Sequence, residues 1–271
     1  SVPVAESLNN LAGVCLDRGD TQLAAQLLEQ ALTIRREILG ELHPLTVQLL
    51  SNLAAAAYRS GDMERVGKLL ADAERGYRGL NVAGEQGLAQ VLLNRAILLR
   101  SNGSVDTAAE LLTEAQQLLT KRLGEGHPRI AALLTELARI EAARGRLQLA
   151  REAWQRAIVM LDQPGMSDGV LARALFESAL LLRRLDDGAA AEANLVRLLE
   201  LATALSPATA ELQTSAQLEY GELLVARGAA AEAVASLEAA LRGLEGQLPR
   251  HAALRARAQE ALQRANDLNK R

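Results

Sequence analysis

Three asparagines, Asn10, Asn52 and Asn94, recur at intervals of 42 residues. A carboxamide donates and accepts at once, so each can pair with a peptide unit without reading its side chain. The other chemistry-bearing residues offer less. His43 and His127 sit in His-Pro turns two periods apart, and His251 has no partner near it in sequence. A metal site needs clustered ligands, so these read as turn or packing residues and no metal is expected. Cys15 is the single cysteine. It falls on an apolar stripe and reads as an inert core thiol, with no disulfide available to it. There is no glycine-rich phosphate loop, no nucleophile elbow and no zinc motif, so neither catalysis nor a cofactor is expected.

What spaces the asparagines is an internal repeat. Gly19, Gly61, Gly103 and Gly145 follow the same 42-residue interval, and LGELHP at 39–44 returns as LGEGHP at 123–128. Self-similarity at a fixed period of this size marks a repeat architecture. Within each period two apolar stripes at helical spacing flank the glycine. In the first they are Leu8, Leu11, Ala12 and Cys15, then Ala24, Leu28, Ala31 and Leu32. Gly40 suits a helix C-cap and Pro44 the first turn of the next helix. Pro3, Pro44, Pro128, Pro164, Pro207 and Pro249 all lie before or between the periodic units. That supports the boundaries, because an interior proline costs about 3 kcal/mol.

Small residues recur where two helices of a hairpin must cross closely. They are Ala12, Ala54, Ala96, Ala138, Ala179 and Gly221 on the first helices, and Ala24, Ala108, Ala150, Ala191 and Ala233 on the second, with Val66 as the exception. The last stripe, from Leu254 through Ala258, Ala261, Leu262 and Ala265 to Leu268, faces away from Arg255, Arg257, Glu260, Arg264 and Asp267. One apolar face and one wet face is what a terminal capping helix needs.

Composition narrows the function. Aromatics are only 2% of a chain that is 49% apolar, so leucine and alanine, both strong helix formers, must build the core. The net charge of −3, with both signs mixed, gives no argument for nucleic acid or for a membrane surface. No long apolar run reads as a membrane span and no signal peptide is recognised, so no membrane insertion and a cytoplasmic location are expected.

The phrases LNNLA, ALTIRREILGELHP and LGEGHP, and the order large residue, Leu, Ala or Gly, turn Gly and Ala along each hairpin, resemble the tetratricopeptide repeat (TPR) family. The 42-residue period resembles its kinesin-light-chain-like subclass. The resemblance implies an all-α, right-handed superhelical solenoid of about six hairpins in one domain spanning 1–271. The hairpins would cover approximately 3–43, 44–83, 84–127, 128–166, 167–206 and 207–246, with a capping helix at 249–269. The pattern is departed from by Arg95 and Ser178 at a usual leucine, by Asp186 at the turn glycine, and by Gln217 at the first large position. For Arg95 a head that snorkels out along its aliphatic stem is favoured over a buried ion pair.

In that family the first helices line a concave groove, where an asparagine hydrogen-bonds an extended peptide. The resemblance carries this role onto Asn10, Asn52 and Asn94, with Glu136, Ser178 and Glu219 in the place of the amide later on. Projection onto the same face adds Tyr58, Arg59, Arg100, Arg139, Arg183 and Arg184, a basic stripe that would favour acidic segments through charge-assisted pairs. Glu6 and Asp17, then Glu219 and Glu222, form acidic ends. The expected function is a non-catalytic interaction scaffold for a protein or peptide partner. Its alternatives are a peptide-sensing regulatory domain of a larger protein and a self-assembly module that forms homo-oligomers through the N-terminal hairpin.

Overall fold

The turn glycines bend the chain as their residue type requires. Gly19, Gly61, Gly103 and Gly145 all have φ between +75° and +83°, a left-handed conformation that costs a residue with a Cβ. In the computed structural model they separate paired helices, and after Gly19 and Gly61 an aspartate caps the second helix of the pair. Asp20 Oδ1 accepts from the Leu23 amide at 3.0 Å, and Asp62 Oδ1 accepts from the Arg65 amide at 3.0 Å.

The structure describes residues 1–163, 166–202, 210–245 and 251–270, so Pro164, Pro207 and Pro249 lie outside the described residues. Among the described residues there are thirteen α-helices and no strand. The first six are α1 (Val2–Asp17), α2 (Thr21–Leu39), α3 (Pro44–Arg59), α4 (Met63–Gly79), α5 (Glu85–Ser101) and α6 (Val105–Leu123). Then come α7 (Pro128–Ala143), α8 (Leu147–Leu161), α9 (Asp168–Arg184), α10 (Gly188–Ala202), α11 (Ala210–Arg227), α12 (Ala230–Gly243) and α13 (Ala252–Asn269). Two compact units divide the chain at Ile140/Glu141, inside α7.

In unit 1, α1 packs on α2, α3 on α4 and α5 on α6, and each hairpin packs on the next. In unit 2, α9 packs on α10 and α11 on α12, while α13 covers α12 and part of α11. Every small residue named above is buried, from Ala12 at 0% exposure to Val66 at 4%. Gly221 shows why: a Cβ there would stand 2.5 Å from Leu237 Cγ. On α13, Ala258, Ala261 and Ala265 face the core and the charged residues face out. Trp154 and Cys15 are both buried.

Two apolar positions differ from the sequence reading: Leu268, 37% exposed near the end of α13, and Leu11. Leu11 is 49% exposed, although Leu53, one period later, is 2% exposed. Each has its own second helix, but α3 also has a hairpin before it. The extra burial on α3 is what that preceding hairpin supplies.

Candidate functional site

Small side chains on α3 leave space between neighbouring hairpins of unit 1. Ala54 and Ala55 of α3, Val66 and Leu70 of α4, and Ile97 and Leu98 of α5 line a hollow of about 310 Å³. Its wall is mostly hydrocarbon. Three candidate residues stand around it: Tyr58, Arg59 and Asn94. Tyr58 is 54% exposed, an unusual position for a large aromatic in a chain with so few. The hollow thus pairs an apolar floor with an amide, a phenol and a guanidinium at its edge, the composition of a site that holds one apolar group and orients it by a few polar contacts.

The amides differ in what they already hold. Asn52 is half-buried and its Nδ2 donates to Asn9 Oδ1 at 2.7 Å, linking α3 to α1. Asn94 Oδ1 accepts from Gln90 Nε2 at 3.2 Å, a bond that uses the acceptor of the amide and not its donors. Asn10 is exposed. Neither Asn9 nor Gln90 was among the sequence candidates. Asn9 could have been noticed as the other half of an Asn-Asn pair, and Gln90 as the residue one helical turn before Asn94.

The basic stripe is not free. Arg59 Nη1 donates to the Leu16 carbonyl at 2.6 Å, a cation placed at the C-terminal end of α1 where the helix dipole favours it. Arg100 Nε donates to Glu136 Oε2 at 2.9 Å, and Arg139 donates to the other oxygen of the same carboxylate. In unit 2, Arg183 is bound to Glu219 and reaches Glu222 at 3.2 Å. Arg257 of α13 donates to Glu219 Oε1 at 2.8 Å and to Glu222 Oε2 at 2.5 Å. Arg184 is exposed. Glu136 and Glu219 are 3% and 6% exposed, so burial requires this pairing. The structure therefore brings together Tyr58, Arg59 and Asn94 at the hollow, holds Arg100 and Arg139 on one carboxylate, and keeps Arg183 and Arg184 in unit 2.

The remaining polar residues are structural. His43 Nδ1 accepts from the Leu45 amide and His127 Nδ1 from the Arg129 amide, both at 3.2 Å, so the two His-Pro turns use histidine as a helix cap. Among the described residues no group of three metal-ligating side chains is assembled. Arg95 does not simply snorkel. It is 31% exposed and is paired with the mostly buried Glu74. No described helix is long and apolar enough to cross a membrane.

Comparison with known proteins places these observations. A search of the curated proteins finds no match. Among solved structures the chain is similar to BtubC (BKLC) from P. vanneervenii, with 22% identity and a TM-score of 0.66 over 75% of this chain and 81% of that one. It is similar to the nearly identical TPR-like repeats of a protein assigned as a kinesin light chain from Podosopora anserina, with 24% identity and a TM-score of 0.55 over 72% and 93% of the two chains. It is also similar to pilF of Pseudomonas aeruginosa, with 17% identity and a TM-score of 0.65 over 95% and 96%. At these identities the likeness is one of fold. The family pattern described as "Tetratricopeptide repeat" matches residues 3–78 and 87–163, more than half of the chain. With the paired helices, the turn glycines and the small residues at every crossing, that match makes this chain a member of the tetratricopeptide repeat family.

Proposed function

We propose that this chain is a binding scaffold that works without catalysis and takes an extended segment of a protein partner across α3 and α5 of unit 1. The observation that carries the reading is the 310 Å³ apolar hollow with Tyr58, Arg59 and Asn94 at its edge. An apolar side chain of the partner enters the hollow and sheds its water there. The amide of Asn94 pairs with the partner's backbone beside it. Asn52 and Asn10 extend the amide row along the first helices.

The test is a peptide-display selection on the purified chain, repeated with Ala55→Phe. Ala55 is exposed at the hollow's wall, so the larger ring plugs the space without entering the core. Enriched peptides should share one large apolar residue and should be lost with Ala55→Phe and with the double change Asn52→Ala, Asn94→Ala. Enrichment that survives all of these changes sinks the reading.

A second reading has its own observation. One period before Thr46, Leu49, Leu53 and Ala56, all buried in α3, stand Val4, Ser7, Leu11 and Val14 of α1. The three apolar ones are 47–49% exposed. This face matches what an internal hairpin buries against its neighbour, and we assign it to self-association with a second copy. The wet outer face of α13 disfavours head-to-tail stacking, so the contact would join like to like. Light scattering at two concentrations should show a dimer that Leu11→Glu abolishes. A monomer at both concentrations counts against it.

A further inference from the structure

We infer that Glu136 is a built-in carboxylate ligand of the groove arginines and that it turns this face away from acidic partner segments, an inference that rests on reading the face as a binding surface. The argument begins with register. Asn10, Asn52 and Asn94 are followed, another 42 residues on, by Glu136. An amide donates and accepts, whereas a carboxylate only accepts. The substitution therefore removes the donors a peptide carbonyl would use and introduces an anion.

That anion is not left to solvent. Glu136 is 3% exposed, with Arg100 Nε at 2.9 Å from one oxygen and Arg139 on the other. A partner carboxylate approaching the two guanidiniums meets a competitor already in place and already stripped of water. It also meets a like charge, which is how interfaces reject wrong partners. Glu136 cancels one of the two positive charges and occupies the inward donors of both.

The device is built twice. In unit 2 the register resumes with a slip of one residue at Glu219, which is 6% exposed. One of its oxygens takes Arg183 and the other takes Arg257 Nη2 at 2.8 Å. Arg100 precedes Glu136 by 36 residues and Arg183 precedes Glu219 by 36. In both units, then, the amide position carries a buried carboxylate clamped by two arginines, one of them from the preceding first helix. The partner segment this selects is neutral, with an apolar side chain for the hollow and no carboxylates over α7.

Hexaglutamate is the probe, titrated at low salt into isotope-labelled whole chain while the arginine Nε–Hε NMR signals of Arg100 and Arg139 are followed. In the wild type these signals should not move saturably. In Glu136→Gln, which keeps the side chain's shape and an acceptor for Arg100, they should saturate with affinity raised by about ten-fold, the effect of removing one nearby like charge. Saturable movement in the wild type overturns the inference, and that arm needs no variant to fold. So does a Glu136→Gln protein that binds hexaglutamate no more tightly. If display yields no apolar peptide while the hexaglutamate arms behave as stated, the groove reading falls and the selectivity device stands.

Discussion

Arg35 Nη1 donates to the Leu45 carbonyl oxygen at 2.6 Å from a position where only 4% of the residue is exposed. Its Nε is buried with no hydrogen-bond partner. At 42-residue intervals the same position holds Tyr77, Leu119 and Leu161, all at least 92% buried, since their exposures are 8%, 5% and 7%. Arg35 thus places a cation where the next three hairpins place an aromatic or aliphatic side chain. Replacing a poorly compensated buried charge by a hydrocarbon of similar size is often stabilising. Arg35→Leu is expected to stabilise the chain by about 1–2 kcal/mol, read as a higher midpoint in urea. A lower midpoint would show that the bond to Leu45 outweighs the cost of burying the charge.

Asp186 stands where the other turns use glycine, and it adopts φ of +57°. A side chain in the left-handed region costs roughly 1–2 kcal/mol, part of which glycine returns through its freer unfolded chain. Asp186→Gly is expected to add about 0.5–1 kcal/mol at an unchanged urea m-value. Loss of stability would mean that the aspartate has an energetic role beyond the turn.

Gly13 and Gly221 both lie within helices, yet their substitutions should act in opposite directions. A Cβ at Gly13 meets nothing within 4 Å, while one at Gly221 stands 2.5 Å from the fully buried Leu237. Gly13→Ala should stabilise by about 0.5–1 kcal/mol through helix propensity. Gly221→Ala should destabilise by about 1–3 kcal/mol through overpacking between α11 and α12. Thermal melts of the two variants settle the pair, and equal shifts would contradict the close crossing.

Arg78 grips Glu114 with both nitrogens of its fork, at 2.6 and 2.9 Å, across 36 residues from α4 to α6. The hydrogen bonds from Arg78 hold the Glu114 carboxyl below its usual range, more than burial raises it. A carboxyl depressed on folding contributes stability above its unfolded pKa and loses that contribution as pH falls through the folded value. The pair is exposed and screened, so its whole contribution is at most about 1 kcal/mol. The melting-temperature difference between wild type and Arg78→Met should therefore be present at neutral pH and shrink in acid below the ordinary glutamate range. A difference that persists unchanged in strong acid would assign the effect to packing of the arginine stem.

The sequence alone determined what depends on neighbours within one period. Helix α2 spans Thr21–Leu39 as its stripe and its flanking glycines predict, and the alanines at the crossings are buried. Such features are legible because a repeat makes most of its contacts with the repeat beside it, and because glycine and proline punctuate the chain by local geometry. The exposed Leu11 was not legible, since its stripe matches that of Leu53 at every position but Cys15 against Ala57, and the hairpin packed before α3 is what separates their burial. The candidate site was legible as a list and not as a set of partnerships. Arg100 meets Glu136 at a separation of 36 residues and not 42, because the end of one helix lies beside the middle of the next. That stagger is set by how the hairpins pack. It decided that Arg100, Arg139 and Arg183 hold carboxylates of their own chain, that Asn52 is bonded to Asn9, and that an apolar hollow opens beside Tyr58 and Asn94.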